Sequence, residues 1–243
     1  MPDKRKNRGP HPKDHELFAA EHLDNLRAAL GDLCWLLGRG YARTSALKLV
    51  GDRHSLQERQ RMALNRVACS DTERDLRLEK KISPDQTAGK QVNIDGFNLI
   101  TTIEAALSGG LMIRCRDGCI RDLASMHGNY RKVSQTLDAA TLIGKMLESL
   151  SASQCNWYLD RPVSNSGKLK TILEEIAHDN GWNWSVALDY SPDKVLKESS
   201  AVAISGDSII LNECQHWLNL TPMILEQNNI DCWLIDLGQI NLE

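Results

Sequence analysis

No apolar run in this sequence approaches the ~20 residues that a membrane-spanning helix needs. Residues 1–13 are basic and rich in Pro and Gly, without the apolar centre of a signal peptide, and read as a flexible tail. The expectation is a cytoplasmic protein with no membrane partner. No CxxC pair occurs, and the seven cysteines (34, 69, 115, 119, 155, 214 and 232) are odd in number and sit mostly inside apolar patterns. That pattern argues against a disulfide framework or a zinc site and for reduced thiols used as small core residues. At 243 residues, 42% hydrophobic and 25% charged, the chain can bury a sizeable core in one large domain or two modest ones.

Charge is unevenly spread. Residues 1–90 carry 18 Lys/Arg against 13 Asp/Glu, a balance of +5; residues 91–243 carry 11 against 19, a balance of −8; together they give the net −3. A basic segment followed by an acidic one suggests an anionic partner for the first and cations for the second.

The basic segment reads as helical. Leu17, Ala20, Leu23, Leu26, Leu30, Leu33 and Leu37 recur at three- and four-residue steps and predict one amphipathic helix from Asp14. Thr44 or Ser45 can cap a second helix ending at Gly51, and Ser55-x-x-Glu58 has the form of a capping box opening a third. The expected organisation is a small all-helical domain over 14–70, a charged linker over 71–90 and an α/β domain over 91–243. Arg39, Arg43, Lys48, Arg53, Arg59 and Arg61 form the polar faces of the helices and are candidate contacts to RNA. Pairing with nearby acids is the plain alternative for them.

From residue 91, apolar runs of strand length alternate with helical patterns. Val92–Ile94, Trp157–Leu159, Trp184–Leu188, Ala201–Ile204 and Cys232–Leu237 read as strands, and Asp117-Gly118 reads as a hairpin turn between Leu111–Cys115 and Cys119–Leu123. Such alternation predicts a three-layer, mainly parallel sheet. Asp95, Asp160 and Asp207 each stand at or just past a predicted strand end, and Asp189 is a fourth of the same kind. Parallel strands bring their carboxyl ends to one edge, where ligands bind. Carboxylates gathered there repel one another unless a divalent cation neutralises them. Oxygen donors of this sort suit Mg²⁺ or Mn²⁺. Any one such Asp, taken alone, is explained by helix N-capping.

Ile94-Asp95-Gly96-Phe97-Asn98 resembles the first motif of the NYN/PIN-like nucleases, and Ala203-Ile204-Ser205-Gly206-Asp207-Ser208 resembles their later motif, with Asp160 where the middle strand offers another acid. Arg39-Gly40-Tyr41, the run Ser45 to Arg53, and Arg59-Gln60-Arg61 resemble the helical family DUF 434. The resemblance implies a Rossmann-like fold, Mg²⁺ or Mn²⁺ at the acidic cluster, and hydrolysis of RNA phosphodiesters. Where the NYN pattern often places a second Asp two residues after Gly-Asp, this chain has Ile209, so a ligand is missing or is supplied by Asp117, Asp122 or Asp189.

On that reading Asp95, Asp160 and Asp207 hold the metal and Asn98 positions a water or a carboxylate. Ser205 and Ser208 bind phosphate or orient Asp207. Arg161 and Lys168 steady the phosphate oxygens, and the Ser166 region opens a helix whose N–H groups can touch the substrate backbone. The stretch from Arg161 to Lys168 lacks the first glycine and the spacing of a P-loop, so a nucleotide cofactor is not expected. His127 is a weaker catalytic candidate, and the tryptophans read as core residues. The competing functions are a non-catalytic RNA-binding protein and a phosphohydrolase acting on small phosphorylated molecules. The oligomeric state, a homodimer included, is left open.

Overall fold

The computed structural model describes residues 7–124 and 130–239; His127 lies outside them. The helical half contains α1 (Asp14–Leu17), α2 (Ala20–Gly38), α3 (Arg43–Arg53), α4 (Glu58–Val67) and α5 (Asp71–Lys80). The stripe expected to make one helix from Asp14 is interrupted at Phe18 and Ala19, and both flanking helices keep leucines of that stripe in the core. The expected capping box is displaced. Ser55 has φ +52°, outside the extended region an N-cap requires, and Gln57 starts α4 instead, its N–H donating to Gln60 Oε1 at 3.0 Å.

Residues 71–90, expected as a linker, hold a structured segment. Ser70 caps α5 through Glu73 N (3.1 Å), and Glu73 returns the bond to Ser70 N (2.8 Å). Asp71 and Glu73 in the first turn and Arg77 and Lys80 in the last complement the helix dipole. The charge that resembles a linker composition is thus a helix-end pattern. A 3-10 turn, Pro84–Thr87, completes the segment.

The second half contains β1 (Gln91–Asp95), α6 (Gly96–Leu107), β2 (Met112–Arg114), β3 (Ile120–Asp122), α7 (Thr136–Ser149), β4 (Gln154–Asp160), α8 (Ser166–Asn180), β5 (Trp184–Asp189), α9 (Pro192–Glu198), β6 (Val202–Ile204), α10 (Ser208–Glu213), α11 (Leu220–Gln227) and β7 (Leu234–Asp236). The main sheet has the order β5-β4-β1-β6, and every pair in it is parallel. Val92, Ile94, Trp157, Leu159, Val186 and Ile204 point into one core with α6, α7 and α8, while Ala203 and Tyr158 lie on the other face with Leu196 of α9 and Ile210 of α10. The fold is therefore α/β, a parallel sheet with helices against both faces, joined to a helical amino-terminal region.

The strand expected at Cys232–Leu237 forms, as β7, but outside the main sheet. It pairs in parallel with β2, which pairs antiparallel with β3 through the turn at Gly118 (φ +79°). This small sheet packs on the helical half: Leu111, Ile113, Cys115, Leu123, Ile235 and Leu237 share a core with Leu26, Leu30, Leu33, Leu64 and Val67. The two charge-defined halves thus interlock, because the apolar faces of α1 to α4 need a partner and the small sheet provides it. All seven cysteines are free, six of them buried, and burial pushes the Cys69 and Cys155 thiols up to about 12. Trp35, expected in the core, is 53% exposed.

The described part of the residue 1–13 tail is tied down. Arg8 pairs with the fully buried Glu104, whose carboxylate also accepts from Tyr130 Oη (2.6 Å) and Thr136 Oγ1. Arg8→Ala removes the cation from this buried group and is expected to cost about 2 kcal/mol, read as a lower denaturation midpoint. An unchanged midpoint would mean the tail is as dispensable as its composition suggests.

Candidate active site at the carboxyl edge of the main sheet

The chain passes from β1 outward to β4 and β5, then returns to place β6 on the other side of β1. Strand order reverses between β1 and β6, the position at which open α/β sheets bind ligands beyond their strand ends. Asp95 ends β1 and N-caps α6, accepting from Asn98 N at 3.4 Å. Gly96 follows because α6 leaves the sheet pressed against β4. A Cβ there would lie 2.5 Å from Leu159 Cδ2 and 3.0 Å from the Tyr158 carbonyl oxygen. Gly96→Ala is expected to cost about 1–3 kcal/mol, because the leucine can turn aside but the carbonyl cannot. A thermal melt within one degree of wild type would show that α6 shifts freely.

Across the switch point, β6 ends at Ile204 and runs into Ser205-Gly206-Asp207. Ser205 Oγ donates to Asp95 Oδ2 (2.7 Å) and accepts from Asp207 N (2.9 Å). Gly206 N donates to Asn98 Oδ1 (2.7 Å), and Arg121 Nε donates to the Gly206 carbonyl (2.6 Å). Asp207 caps α10, accepting from Ile209 N at 2.7 Å. The two resembling motifs are thus bonded to each other directly, with Ser205 as the bridge. Asn98 holds the Gly206 backbone in place, and Ser208 stands half-buried at the first position of α10.

The electrostatics point to the same edge. Burial pushes the Asp95 carboxyl up to about 7, with the Asp207 and Asp193 charges adding to the rise against the Ser205 hydrogen bond. Asp160 is raised by burial, by Asp193 and by Asp189. Asp193 is raised by burial and by Asp207. Asp193, in the first turn of α9, therefore connects the others electrostatically, yet it is absent from the sequence-derived set. Its signal is Ser191-Pro192-Asp193, a proline-started helix directly after the β5 strand end, which places an acid on the same edge. Asp189 accepts from Ser191 N at 2.7 Å and lies level with Asp160 in the sheet.

Asp117 and Asp122, the two substitutes considered for a further ligand, are engaged elsewhere. Asp117 is buried between Arg77 (2.7 Å) and Arg121 (2.6 Å), and Asp122 accepts from Thr102 Oγ1 (2.8 Å) and pairs with Arg66. No group of three or more His, Cys, Asp or Glu among the described residues is arranged to hold one metal ion. The chemistry of the edge nonetheless fits Mg²⁺ or Mn²⁺. Its donors are carboxylate oxygens that repel each other, and Mg²⁺ is commonly bound through one or two carboxylates with water completing the octahedron.

Most of the basic candidates have partners inside the molecule. Arg59 binds the buried Asp14 (2.6 Å), Lys48 and Arg61 share Asp52 (3.0 and 2.8 Å), and Arg53 pairs with Asp32 (3.3 Å). Arg43 donates to the Asn65 and Ala68 carbonyls (both 3.2 Å), and Arg39 lies 3.5 Å over the Trp35 ring. The exposed pairs among these are weak and exchange readily, whereas Arg59 is structural. Arg161 and Lys168 are exposed where β4 leads into α8, with the Arg161 guanidinium over the Tyr190 ring at 5.2 Å. Ser166 is buried at the start of α8, 3.4 Å from the Arg161 carbonyl.

The family model described as "Domain of unknown function (DUF5616)" matches residues 84–223, and that described as "Protein of unknown function (DUF434)" matches residues 25–80. The chain is 29% identical, over 189 residues, to the Uncharacterized protein MJ0935 of Methanocaldococcus jannaschii; the match covers 78% of this chain and 90% of that protein. No solved structure matches the chain.

Proposed function

We propose, for a chain that belongs to the DUF5616 family, that its sheet edge hydrolyses phosphodiester bonds of RNA with Mg²⁺ or Mn²⁺, on a Rossmann-like scaffold of the PIN/NYN type. The observation that supports this reading is the Ser205 bond that ties Asp95 to the Asp207 backbone at the β1/β6 switch point, with the Asp193 and Asp207 charges both felt by Asp95. Asp95 and Asp207 would hold a divalent cation, with Asp193 and Asp160 nearby, and the cation would polarise the phosphate and activate water.

The protein's own groups have separable tasks. Asp95 is buried beside the Asp207 and Asp193 charges, so its carboxylate gains most from a cation held there. Ser205 orients the Asp95 carboxylate while receiving the Asp207 backbone N–H, which ties Asp95 to the loop that carries Asp207. Asn98 holds the Gly206 backbone and thereby the height of Asp207. Arg161 and Lys168, exposed beside the edge, are placed to attract the phosphate backbone.

The test is cleavage of RNA with Mg²⁺ or Mn²⁺ by wild type and by Asp95→Asn, with a loss of 100-fold or more expected. Equal cleavage by the two proteins would sink the site. A second reading, hydrolysis of small phosphorylated molecules at the same edge, draws support from the internally paired basic face of the helices. It predicts turnover of a small phosphate ester with no cleavage of RNA. Binding of RNA without cleavage by either protein would favour a non-catalytic binder.

A further inference from the structure

The two faces of the main sheet are covered unequally. α6, α7 and α8 pack on one face, whereas on the other α9 lies over β1 and part of β4 with α10 beside it, and the amino-terminal parts of β4 and β5 are left open. Ser185 is exposed there and Asn156 and Ala187 are half-exposed. Beside the carboxyl end of α9 this face forms a groove of about 370 Å³ lined by Lys90, Asn93, Asn156, Tyr158, Ser199 and Ser200 among others. That volume lies in the range of small-ligand sites, and the lining is polar where sheet packing alone would favour β-branched residues.

The amides of the lining are organised as a row. Asn156 Nδ2 donates to Asn93 Oδ1 (3.0 Å), and Ser185 Oγ donates to Asn156 Oδ1 (2.8 Å). The amide orientation is the one this network selects. Asn93 is only 3% exposed, so the amide row leads from the open groove down to the floor of the sheet. Lys90 is exposed at one end of the groove beside the Ser199 and Ser200 hydroxyls, a cation with hydroxyl donors suited to a phosphate. Tyr158 lines the other end. Asn156, Tyr158 and Asp160 are successive residues of β4 on this face, spaced at about 7 Å, so the groove leads along one strand to the acidic edge.

We propose that this groove holds one nucleotide of a single-stranded substrate, with its base on the Asn93–Asn156 amide row and the Tyr158 ring and its phosphate on Lys90, Ser199 and Ser200. The inference rests on the nucleic-acid reading of the site and specifies it: the strand runs along β4 from the groove to the carboxylates. Only an unpaired base can present its edge to the amides, so the site selects single strands.

The test is binding of a fluorescein-labelled single-stranded RNA by the full chain in EDTA, with nucleoside 5′-monophosphates and inorganic phosphate as competitors. Lys90→Glu and Asn156→Ala are each expected to weaken the strand tenfold or more. A duplex of the same sequence is expected to bind at least tenfold more weakly than the strand, and nucleoside monophosphates are expected to compete better than phosphate. No binding, binding by both variants within twofold of wild type, or equal competition by inorganic phosphate would overturn the proposal. Thermal melts establish that the variants are folded; Lys90 is exposed at the strand start, so Lys90→Glu carries the test if Asn156→Ala does not fold. Groove-dependent binding without Mg²⁺-dependent cleavage would remove the hydrolytic reading and leave the groove, and cleavage unaffected by either variant would do the reverse.

Discussion

Asp117→Ala is expected to lower stability by about 3–5 kcal/mol, because it strips the counter-ion from two buried guanidinium groups at once. Arg77 comes from α5 and is fully buried, Arg121 comes from β3, and the Asp117 carboxylate in the hairpin turn bonds to both, as well as to Cys119 N at 3.1 Å. Arg77 Nη2 already lacks a hydrogen-bond partner among the described residues, with Glu73 Oε1 3.8 Å away. Removal of Asp117 therefore leaves Arg121 without its carboxylate and Arg77 with only the more distant Glu73. For a chain of this size the midpoint falls by roughly 10 °C.

The same group makes stability acid-dependent. Burial pulls the Asp117 carboxyl upward, but Arg121 and Arg77 outweigh it and hold the group at about 2. A folded value below the unfolded one, near 3.9, means that the stabilisation is full above about pH 4 and is lost as pH falls toward 2. Wild type is expected to show this acid loss and Asp117→Ala to lack that part of it. A midpoint within two degrees of wild type would show that the cluster contributes little. Because Arg121 also holds the Gly206 carbonyl, the variant is expected to loosen the Ser205–Asp207 loop and weaken any Mg²⁺ or Mn²⁺ binding there.

Asp95→Asn is expected to act in the opposite direction on stability. The Asp95 carboxyl stands at about 7 in the fold, above its unfolded value near 3.9, so the folded state holds its proton more tightly. The associated stability is complete below about pH 4 and is lost as pH rises through 7. The asparagine does not titrate. Its advantage over wild type is expected to grow from nil near pH 4 to about 4 kcal/mol at most above pH 7, measured as denaturation midpoints across that range. At pH 8, Mg²⁺ or Mn²⁺ is expected to raise the wild-type midpoint and to leave Asp95→Asn nearly unchanged, since a cation can take the place of the missing proton. A flat pH profile for the difference between the two proteins would show that the carboxylate is solvated after all.

Several of these features can be read along the chain. The strands that end in Asp95, Asp160 and Asp189 have strong apolar runs with a carboxylate at the stop, and all three lie in one parallel sheet. The hairpin announces itself through Asp117-Gly118. The contribution of Asp193 is harder to see, because its helix has only seven residues and no long apolar period. Ser205 is visible as a motif residue, but its bridge to Asp95 spans 110 positions and exists only once β6 lies beside β1.

Local pattern determined the strand ends, the hairpin, the helical character of the first half and the reduced state expected of the cysteines, since each depends on neighbours a few residues away. Tertiary structure decided which charges are free to act. Asp117 and Asp95 are both aspartates beside a glycine, yet one is locked between two arginines and the other is pushed toward neutrality by burial and by Asp207 and Asp193. The basic helices and the supposed linker differ from their composition for the same reason. A side chain's charge is written in the sequence, but its burial and several of its partners come from far along the chain, 40 positions for Arg77 and Asp117 and 110 for Ser205 and Asp95.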